Sequence, residues 1–268
     1  MSIRLLNNEI GMILASIVLA LPLQGQTTPL NVGTAFQFDS KVLQEQRTIF
    51  IYTPPGFDTI QTQLPVLYIM DGEYRFLPTV GIYQYQTYWK GLPDAVLVGI
   101  ANVSRSTRIR DYTPVTYGGQ ADHFIEFMEK ELIPMIDAKY NTSDRRFVIG
   151  HSHGGVFAFY SFLKRPDLFK GFISCDPSLG NLASYLDEPL KKNYNPTRLF
   201  LSSSNVGPGV DEEIIKSHLE AIVKAKSKVE QKKPEGLDFK DIHVPDDHAN
   251  SYVQACSEGL RFIFKPIN

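Results

Sequence analysis

The chain has 268 residues, of which 43% are hydrophobic and 12% aromatic, with 2 cysteines and a formal net charge of -2. This length and apolar content predict one large globular domain. The near-neutral charge gives no general reason to expect binding to nucleic acid or to an anionic membrane surface, and two cysteines are too few for a disulfide scaffold. Whether Cys175 and Cys256 pair stays open at this point.

The first predicted element is an apolar stretch near the N-terminus. Residues 10–23, IGMILASIVLALPL, contain no charge, follow Arg4 and precede the polar segment QGQTTP. Such a stretch is too short to span a bilayer comfortably, and small residues after it are typical of a cleavage site. We therefore expect residues 1–25 to be a signal peptide, residues 26–268 to be the mature domain, and the protein to be secreted or periplasmic. An uncleaved N-terminal anchor is the alternative.

The rest of the chain alternates strand-like and helix-like segments. GTAFQFDSKVL (33–43) and EQRTIFIYTPPG (45–56) predict an antiparallel pair of strands. Five continuous apolar runs then predict buried parallel strands: 64–70, 95–101, 145–152, 170–175 and 197–203. Helical periodicity follows in four segments: 120–140, 156–166, 210–226 and 249–264. This alternation predicts an α/β fold, with a mostly parallel central sheet and helices on both of its faces.

The hexapeptide GHSHGG, residues 150–155, carries the candidate chemistry. It reads G-x-S-x-G between a buried strand and a helix, the setting in which this pattern places a serine nucleophile on a sharp turn. The following helix N-terminus favours the negative charge that develops during acyl transfer. Ser152 is therefore the predicted nucleophile. A metal site through His151 and His153 is disfavoured, because the hexapeptide contains no further ligand, and no metal or organic cofactor is expected.

A serine nucleophile requires a general base, and one histidine has the right position for it. His123 and His218 fall on predicted surface helices, and His243 falls inside the last predicted strand. His248 lies in the segment VPDDHAN, after that strand and before the final helix. Folds with a nucleophile elbow place their histidine there, so His248 is the predicted base.

Four segments together resemble one esterase family of α/β hydrolases, the esterase D-like family: GHSHGGVFAFYSFLKRPDLFKGFISCDPSLG, VLYIMDGE, RIRDYTP and PDDHANSYVQACSEGLRFIF. The resemblance runs from residue 35 onward and is closest to the branch of siderophore esterases and predicted hydrolases. It implies an α/β-hydrolase fold, Ser152 as the nucleophile and His248 as the base. It also implies an oxyanion hole made by the amide of His153 and by that of Gly72 or Glu73.

The acid of the triad is where the sequence departs from this family. The family tends to carry a glutamate soon after the strand that reads LFLS here, but Asn205, Val206 and Gly207 occupy that place. Asp211 is the nearest carboxylate and the preferred acid, with Glu212 and Glu213 next, although Asp211 is equally well placed to cap a helix. Asp176, after the preceding strand, is the competing candidate. A serine–histidine dyad without an acid is the remaining alternative.

The predicted function is ester hydrolysis through an acyl-enzyme, with siderophore or carbohydrate-linked acyl esters as candidate substrates. Arg110 and His151 are the predicted substrate-binding residues, Arg110 because it follows a strand at the sheet edge where ligands bind. An ion pair between Arg110 and Asp111 that only holds the loop is the competing interpretation. Two other functions stay open: acyl transfer by the same serine, and ligand binding by an inactive hydrolase fold. The sequence does not identify the ester or the oligomeric state.

Overall fold

A mixed sheet is the framework of the protein. The computed structural model describes residues 30–265, apart from 183, 188, 192, 206, 208–210 and 233. Within these residues one sheet of eight strands runs in the order β1-β2-β4-β3-β5-β6-β7-β8. The strands are β1 (Thr34–Ser40), β2 (Glu45–Tyr52), β3 (Leu64–Met70), β4 (Val96–Ile100), β5 (Thr142–His151), β6 (Gly171–Cys175), β7 (Asn193–Asn205) and β8 (Glu235–Asp247). β1 pairs with β2, and β2 with β4, in antiparallel fashion. The six strands from β3 to β8 are parallel to one another.

Helices fill the connections between the parallel strands. They are α1 (Gly72–Lys90), α2 (Arg105–Tyr112), α3 (Ala121–Phe127), α4 (Ile133–Tyr140), α5 (His153–Lys164), α6 (Glu212–Lys232) and α7 (Ser251–Ile263). Residues Met128–Leu132 join α3 to α4 as a π-helical turn. Pro134 follows this turn, and because proline has no N–H it removes one regular helical hydrogen bond there.

Two hydrophobic cores cover the two faces of the sheet. Consecutive residues of β3 pack in different cores. Tyr68 packs in the core that contains α3 to α6, and Ile69 packs in the core that contains α1 and α7. Both side chains are fully buried. Strand side chains point alternately to opposite faces, so continuous apolar runs are what a sheet covered on both faces requires. The prediction of a mostly parallel sheet with helices on both faces is confirmed.

One predicted loop is a helix. The segment after β4 forms α2, with Ser104 as its N-cap in a capping box with Thr107. The Ser104 side chain accepts a hydrogen bond from the Thr107 amide, and the Thr107 hydroxyl oxygen accepts one from the Ser104 amide. The sequence S-x-x-T before a short helix encodes this start.

Val32–Asn268 forms one compact unit, and the predicted signal peptide, residues 1–25, lies outside the described residues. Among the described residues, no helix combines the length and the apolar character that crossing a bilayer requires. Cys175 and Cys256 are both buried and are not joined in a disulfide.

Candidate active site

Ser152 occupies a strained turn between β5 and α5. Its φ is 58° and its ψ is -121°, a conformation that non-glycine residues rarely adopt. The glycines of the motif make the turn sterically possible: a Cβ on Gly150 would lie 2.0 Å from the carbonyl oxygen of Gly154. A Cβ on Gly154 would lie 3.0 Å from Asp71 Oδ2. The motif thus forms a sharp turn with Ser152 at its apex, and such strain persists only where the surrounding structure enforces it.

His248 is paired with a carboxylate. It lies in the turn between β8 and α7, and its Nδ1 is 2.6 Å from Asp176 Oδ2. A carboxylate can only accept hydrogen bonds, so Nδ1 carries the proton and Nε2 of the neutral ring is left with its lone pair. A histidine in this tautomer is prepared to accept a proton at Nε2.

Asp176 is held as a carboxylate in a buried position. The amide of Ser204 donates to Oδ1 at 2.9 Å, the Ser204 hydroxyl donates to Oδ2, and His218 Nε2 lies 3.5 Å from Oδ1. Burial acts to raise the pKa of Asp176, but the hydrogen bonds from His218, His248 and Ser204 outweigh it and hold that pKa well below its usual range. Asp176 therefore presents a charged oxygen to His248.

The structure corrects the prediction that Asp211 is the carboxylate partner of His248. Asp211 is exposed, and its Oδ1 accepts a hydrogen bond from the amide of Glu213 at 2.8 Å, as a residue that caps α6 does. Asp176 follows β6, which pairs directly with the nucleophile strand β5. Glu212 and Glu213 lie in the first turn of α6. The contact between Asp176 and Nδ1 of His248 decides between the candidates.

His151 makes its polar contacts within the protein, unlike the substrate-binding residue that the sequence predicts. The side chain is buried, with the residue only 3% exposed, and both ring nitrogens have partners within the protein. Its Nε2 lies 2.8 Å from the carbonyl oxygen of His248, and its Nδ1 lies 3.0 Å from Arg75 Nη2. Burial, the charge of Arg75 and the neighbouring His248 lower the pKa of His151 to about 3, so the ring is neutral at physiological pH.

The amides predicted to form the oxyanion hole lie at two helix N-termini. Gly72 and Glu73 are in the first turn of α1, and His153 begins α5. The first amides of a helix have no partner within it and are therefore available to a ligand. The two turns abut, because a Cβ on Gly154 would also lie 3.1 Å from the Cβ of Met70. Burial and the charge of Arg108 lower the pKa of the His153 side chain.

An ion pair that the sequence analysis did not identify braces these two turns. Arg108 Nε lies 2.6 Å from Asp71 Oδ1, and its Nη2 lies 2.8 Å from Oδ2. The same Nη2 donates to the carbonyl oxygen of His151 at 3.3 Å. A bidentate pair of this kind fixes geometry as well as charge. Arg108 thus connects the β3–α1 turn to the end of the nucleophile strand.

Arg110 pairs with carboxylates of the protein, unlike the substrate-binding residue that the sequence predicts. Its Nε donates to Asp111 Oδ1 at 2.7 Å, and its Nη2 donates to Glu45 Oε1 at 2.7 Å. Buried Arg47 contacts the same two carboxylates. The competing interpretation, an ion pair with Asp111 that holds the segment, is the one that the structure supports.

A cavity of about 620 Å³ opens beside His248 and Asp176. Its remaining lining comes from the segment after β6, from the end of β7 and the residues after it, and from the first turns of α6: Ser178, Gly180, Ser204, Asn205, Gly207, Glu213, Ile214, Ile215, Ser217 and His218. His218 was predicted to be a solvated surface residue, but its side chain is only 16% exposed. The helical periodicity of α6 in the sequence does not predict this contact between His218 and Asp176.

Three residues of the site could hold a metal ion by their spacing, but their ligand atoms are engaged in hydrogen bonds. His151, Asp176 and His248 each place one suitable atom within 4.8 Å of the others. Nδ1 of His248 already faces Asp176, and both nitrogens of His151 are occupied. The guanidinium of Arg75 beside His151 also repels a cation. The donor set therefore fits a hydrogen-bonded triad better than a metal site.

Comparison with known proteins identifies the family. Residues 40–216 match the family described as Putative esterase. The chain belongs to this family. Ferri-bacillibactin esterase BesA of Bacillus subtilis is 28% identical over 194 residues, which cover 60% of this chain and 67% of BesA. The protein YbbA of the same organism is 27% identical over 136 residues, covering 46% of this chain and 53% of YbbA, so the chain spans about half the length of that relative.

Solved structures confirm the α/β-hydrolase fold. An IroE-like serine hydrolase from Shewanella oneidensis superposes with a TM-score of 0.76 at 26% identity, covering 88% of this chain and 82% of that one. The BES protein from Bacillus cereus superposes with a TM-score of 0.70 at 22% identity, covering 91% of this chain and 98% of that one. The predicted resemblance to siderophore-esterase relatives within an esterase family is confirmed by these matches and by the match to BesA.

Proposed function

We propose that the protein is a serine esterase that cleaves carboxylic esters of small molecules through an acyl-enzyme. The observation that supports it most strongly is the Asp176–His248 pair, with Nδ1 and Oδ2 separated by 2.6 Å, close to the strained turn of Ser152. His151, the residue before Ser152, has its ring centre 4.6 Å from that of His248, so the base lies at the end of the nucleophile strand. Membership of an esterase family agrees with this assignment.

The proposed reaction begins with Ser152. Its hydroxyl gives its proton to Nε2 of His248 as Oγ attacks the ester carbonyl, and Asp176 stabilises the imidazolium that forms. The amides of His153 and of Gly72 or Glu73 stabilise the oxyanion, each contributing about 3 kcal/mol to the barrier reduction. The imidazolium then protonates the departing alkoxide. Water, deprotonated by His248, attacks the acyl-enzyme and releases the acid, which restores the Ser152 hydroxyl.

We propose a siderophore ester as the substrate class. The support is the names of relatives, since BesA is a ferri-bacillibactin esterase and a relative from Aspergillus fumigatus, 28% identical over 136 residues, is a siderophore triacetylfusarinine C esterase. Chromatography of digests of a catecholate trilactone, a hydroxamate triester and a feruloylated oligosaccharide tests this directly. Preferred cleavage of the feruloyl ester would contradict the proposed class. Transfer of the acyl group to an added alcohol in preference to water would contradict the hydrolase assignment.

Labelling with a fluorophosphonate probe tests the nucleophile. The wild-type protein is expected to become labelled and to hydrolyse p-nitrophenyl esters, and Ser152→Ala is expected to lose both properties while its circular dichroism is unchanged. Ser106→Ala is the control, because this exposed serine lies on α2. Labelling of folded Ser152→Ala would overturn the assignment of the nucleophile. Absence of labelling in the folded wild type would overturn the esterase proposal.

A further inference from the structure

His151 connects the strand of the proposed nucleophile to the loop of the proposed base. It is the last residue of β5, and its Nε2 lies 2.8 Å from the backbone carbonyl of His248, which is 97 residues away along the chain. The same carbonyl also accepts a hydrogen bond from the hydroxyl of Ser251 at 3.1 Å. Asp176 is hydrogen-bonded to the ring of His248, whereas His151 is hydrogen-bonded to its backbone carbonyl. The two contacts therefore restrict different degrees of freedom of the same residue.

Arg75 and the backbone carbonyl of His248 together determine which ring nitrogen of His151 carries the proton. The guanidinium can only donate hydrogen bonds, so Nδ1 of His151, at 3.0 Å from Arg75 Nη2, must be the acceptor. Nε2 then bears the hydrogen and donates it to the carbonyl of His248. The opposite tautomer would leave two donors facing each other at Arg75 and two acceptors facing each other at His248, which is costly in a buried site.

Arg75 is itself held by its surroundings. Its guanidinium carbon lies 4.3 Å from the ring centre of Tyr252, in a cation–π contact. The Tyr252 hydroxyl is 2.6 Å from the hydroxyl of Thr79, one turn along α1 from Arg75. Tyr252 belongs to α7, the helix that follows His248. The chain of contacts thus runs from α1 through β5 to the β8–α7 turn.

We propose that Arg75 and His151 are positioning residues that set the distance between Ser152 and His248. The inference depends on the proposed function only for the roles of those two residues. Because Ser152 directly follows His151, the hydrogen bond from His151 to the His248 carbonyl fixes the position of the nucleophile relative to the base. A displacement of about 1 Å between two such groups can lower turnover by about 100-fold.

An experiment on the tautomer tests the hydrogen-bond chain without any assay of activity. Nitrogen-detected NMR of histidine-labelled protein is expected to show His151 protonated at Nε2 alone, and in Arg75→Met the Nδ1 resonance should shift because that nitrogen loses its hydrogen-bond donor. Arg75→Lys, which retains a donor and the charge, is expected to leave the Nδ1 resonance near its wild-type position. Protonation of wild-type His151 at Nδ1 alone would overturn the inference. If the tautomer is as expected but the wild type fails to react with fluorophosphonate, the proposed function fails and this network stands.

Kinetics test the positioning role. Arg75→Met is expected to lower kcat by about 10- to 100-fold with KM within about threefold, because the base is displaced while the binding surface is intact. Arg75→Lys is expected to recover most of the loss. Lys90→Met, an exposed cation at the other end of the same helix, is the control. Equal kcat in Arg75→Met and Lys90→Met, or a melting temperature lowered equally in both Arg75 variants with no recovery by lysine, would overturn the inference.

Discussion

Oδ2 of Asp176 lies 2.6 Å from Nδ1 of His248, although 72 residues separate the two along the chain. The carboxylate follows β6 and the histidine follows β8, with β7 between these strands in the sheet. The β8–α7 turn therefore folds back across the end of β7 to bring His248 to Asp176. Strand order, rather than distance along the chain, places a carboxylate beside His248.

This relationship predicts unequal effects of two aspartate substitutions. If Asp176 orients His248, Asp176→Asn is expected to lower kcat by up to about 10⁴-fold, because the imidazole loses its anionic partner and its favoured tautomer. Asp211→Asn is the matched control and is expected to stay within about threefold of wild type, with a stability loss of about 1 kcal/mol from the weakened helix cap. Turnover and melting temperature measured on both variants decide the matter. A large loss of kcat in Asp211→Asn with little change in Asp176→Asn would instead assign the acid to Asp211.

The site could be predicted from the sequence where its chemistry is local. The sharp turn at Ser152 is specified by neighbouring residues, because Gly150 and Gly154 must lack side chains for the turn to close. The carboxylate partner of His248 could not be chosen in this way. Asp176 and Asp211 both follow a strand, and only the folded structure shows that Asp176 lies 2.6 Å from Nδ1 of His248.

The contacts of Arg110 and His151 could not be predicted from the sequence either, for physical reasons. The sequence predicts no helix at Arg108 and Arg110, but both lie on α2, where residues two apart face different sides. Arg108 consequently reaches Asp71, and Arg110 reaches Glu45. The partner of His151, Arg75, is 76 residues away, so no local pattern indicates that the imidazole is buried.

The stability of the protein is expected to fall in acid partly because of Asp176. Its folded pKa lies below its ordinary value of about 3.9, so its carboxylate stabilises the folded state above about pH 4. That contribution is lost as the pH falls through the unfolded pKa towards the folded one. Between about pH 5 and pH 3 the free energy of unfolding should therefore fall more in wild type than in Asp176→Asn. Urea denaturation of both proteins across this range provides the measurement, and parallel curves would contradict the prediction.

Export is a prediction of the sequence alone. The uncharged segment 10–23 and the small residues after it predict cleavage, so mature protein recovered from the native cell envelope or medium should begin at a residue from about 24 to about 28. Intact-mass analysis and N-terminal sequencing give the answer. A variant with Leu19→Arg in the apolar segment is expected to accumulate uncleaved inside the cell, since a charge there disrupts the signal. Wild-type protein with an intact Met1 in the cytosol would contradict the prediction.

The turn at Ser152 predicts opposite outcomes for two Gly→Ala substitutions. In Gly150→Ala the new methyl group would lie 2.0 Å from the carbonyl oxygen of Gly154, a backbone atom that cannot move without opening the turn. We expect a loss of stability of at least about 1–3 kcal/mol and a loss of esterase activity, because the nucleophile shifts with the turn. Gly81→Ala is the matched control, since its methyl group would meet nothing within 4 Å and α1 is a regular helix there. It is expected to gain about 0.5–1 kcal/mol, because alanine favours the helix over glycine. Chemical denaturation and p-nitrophenyl ester turnover of both variants provide the measurement, and an active, fully stable Gly150→Ala would contradict the tight turn.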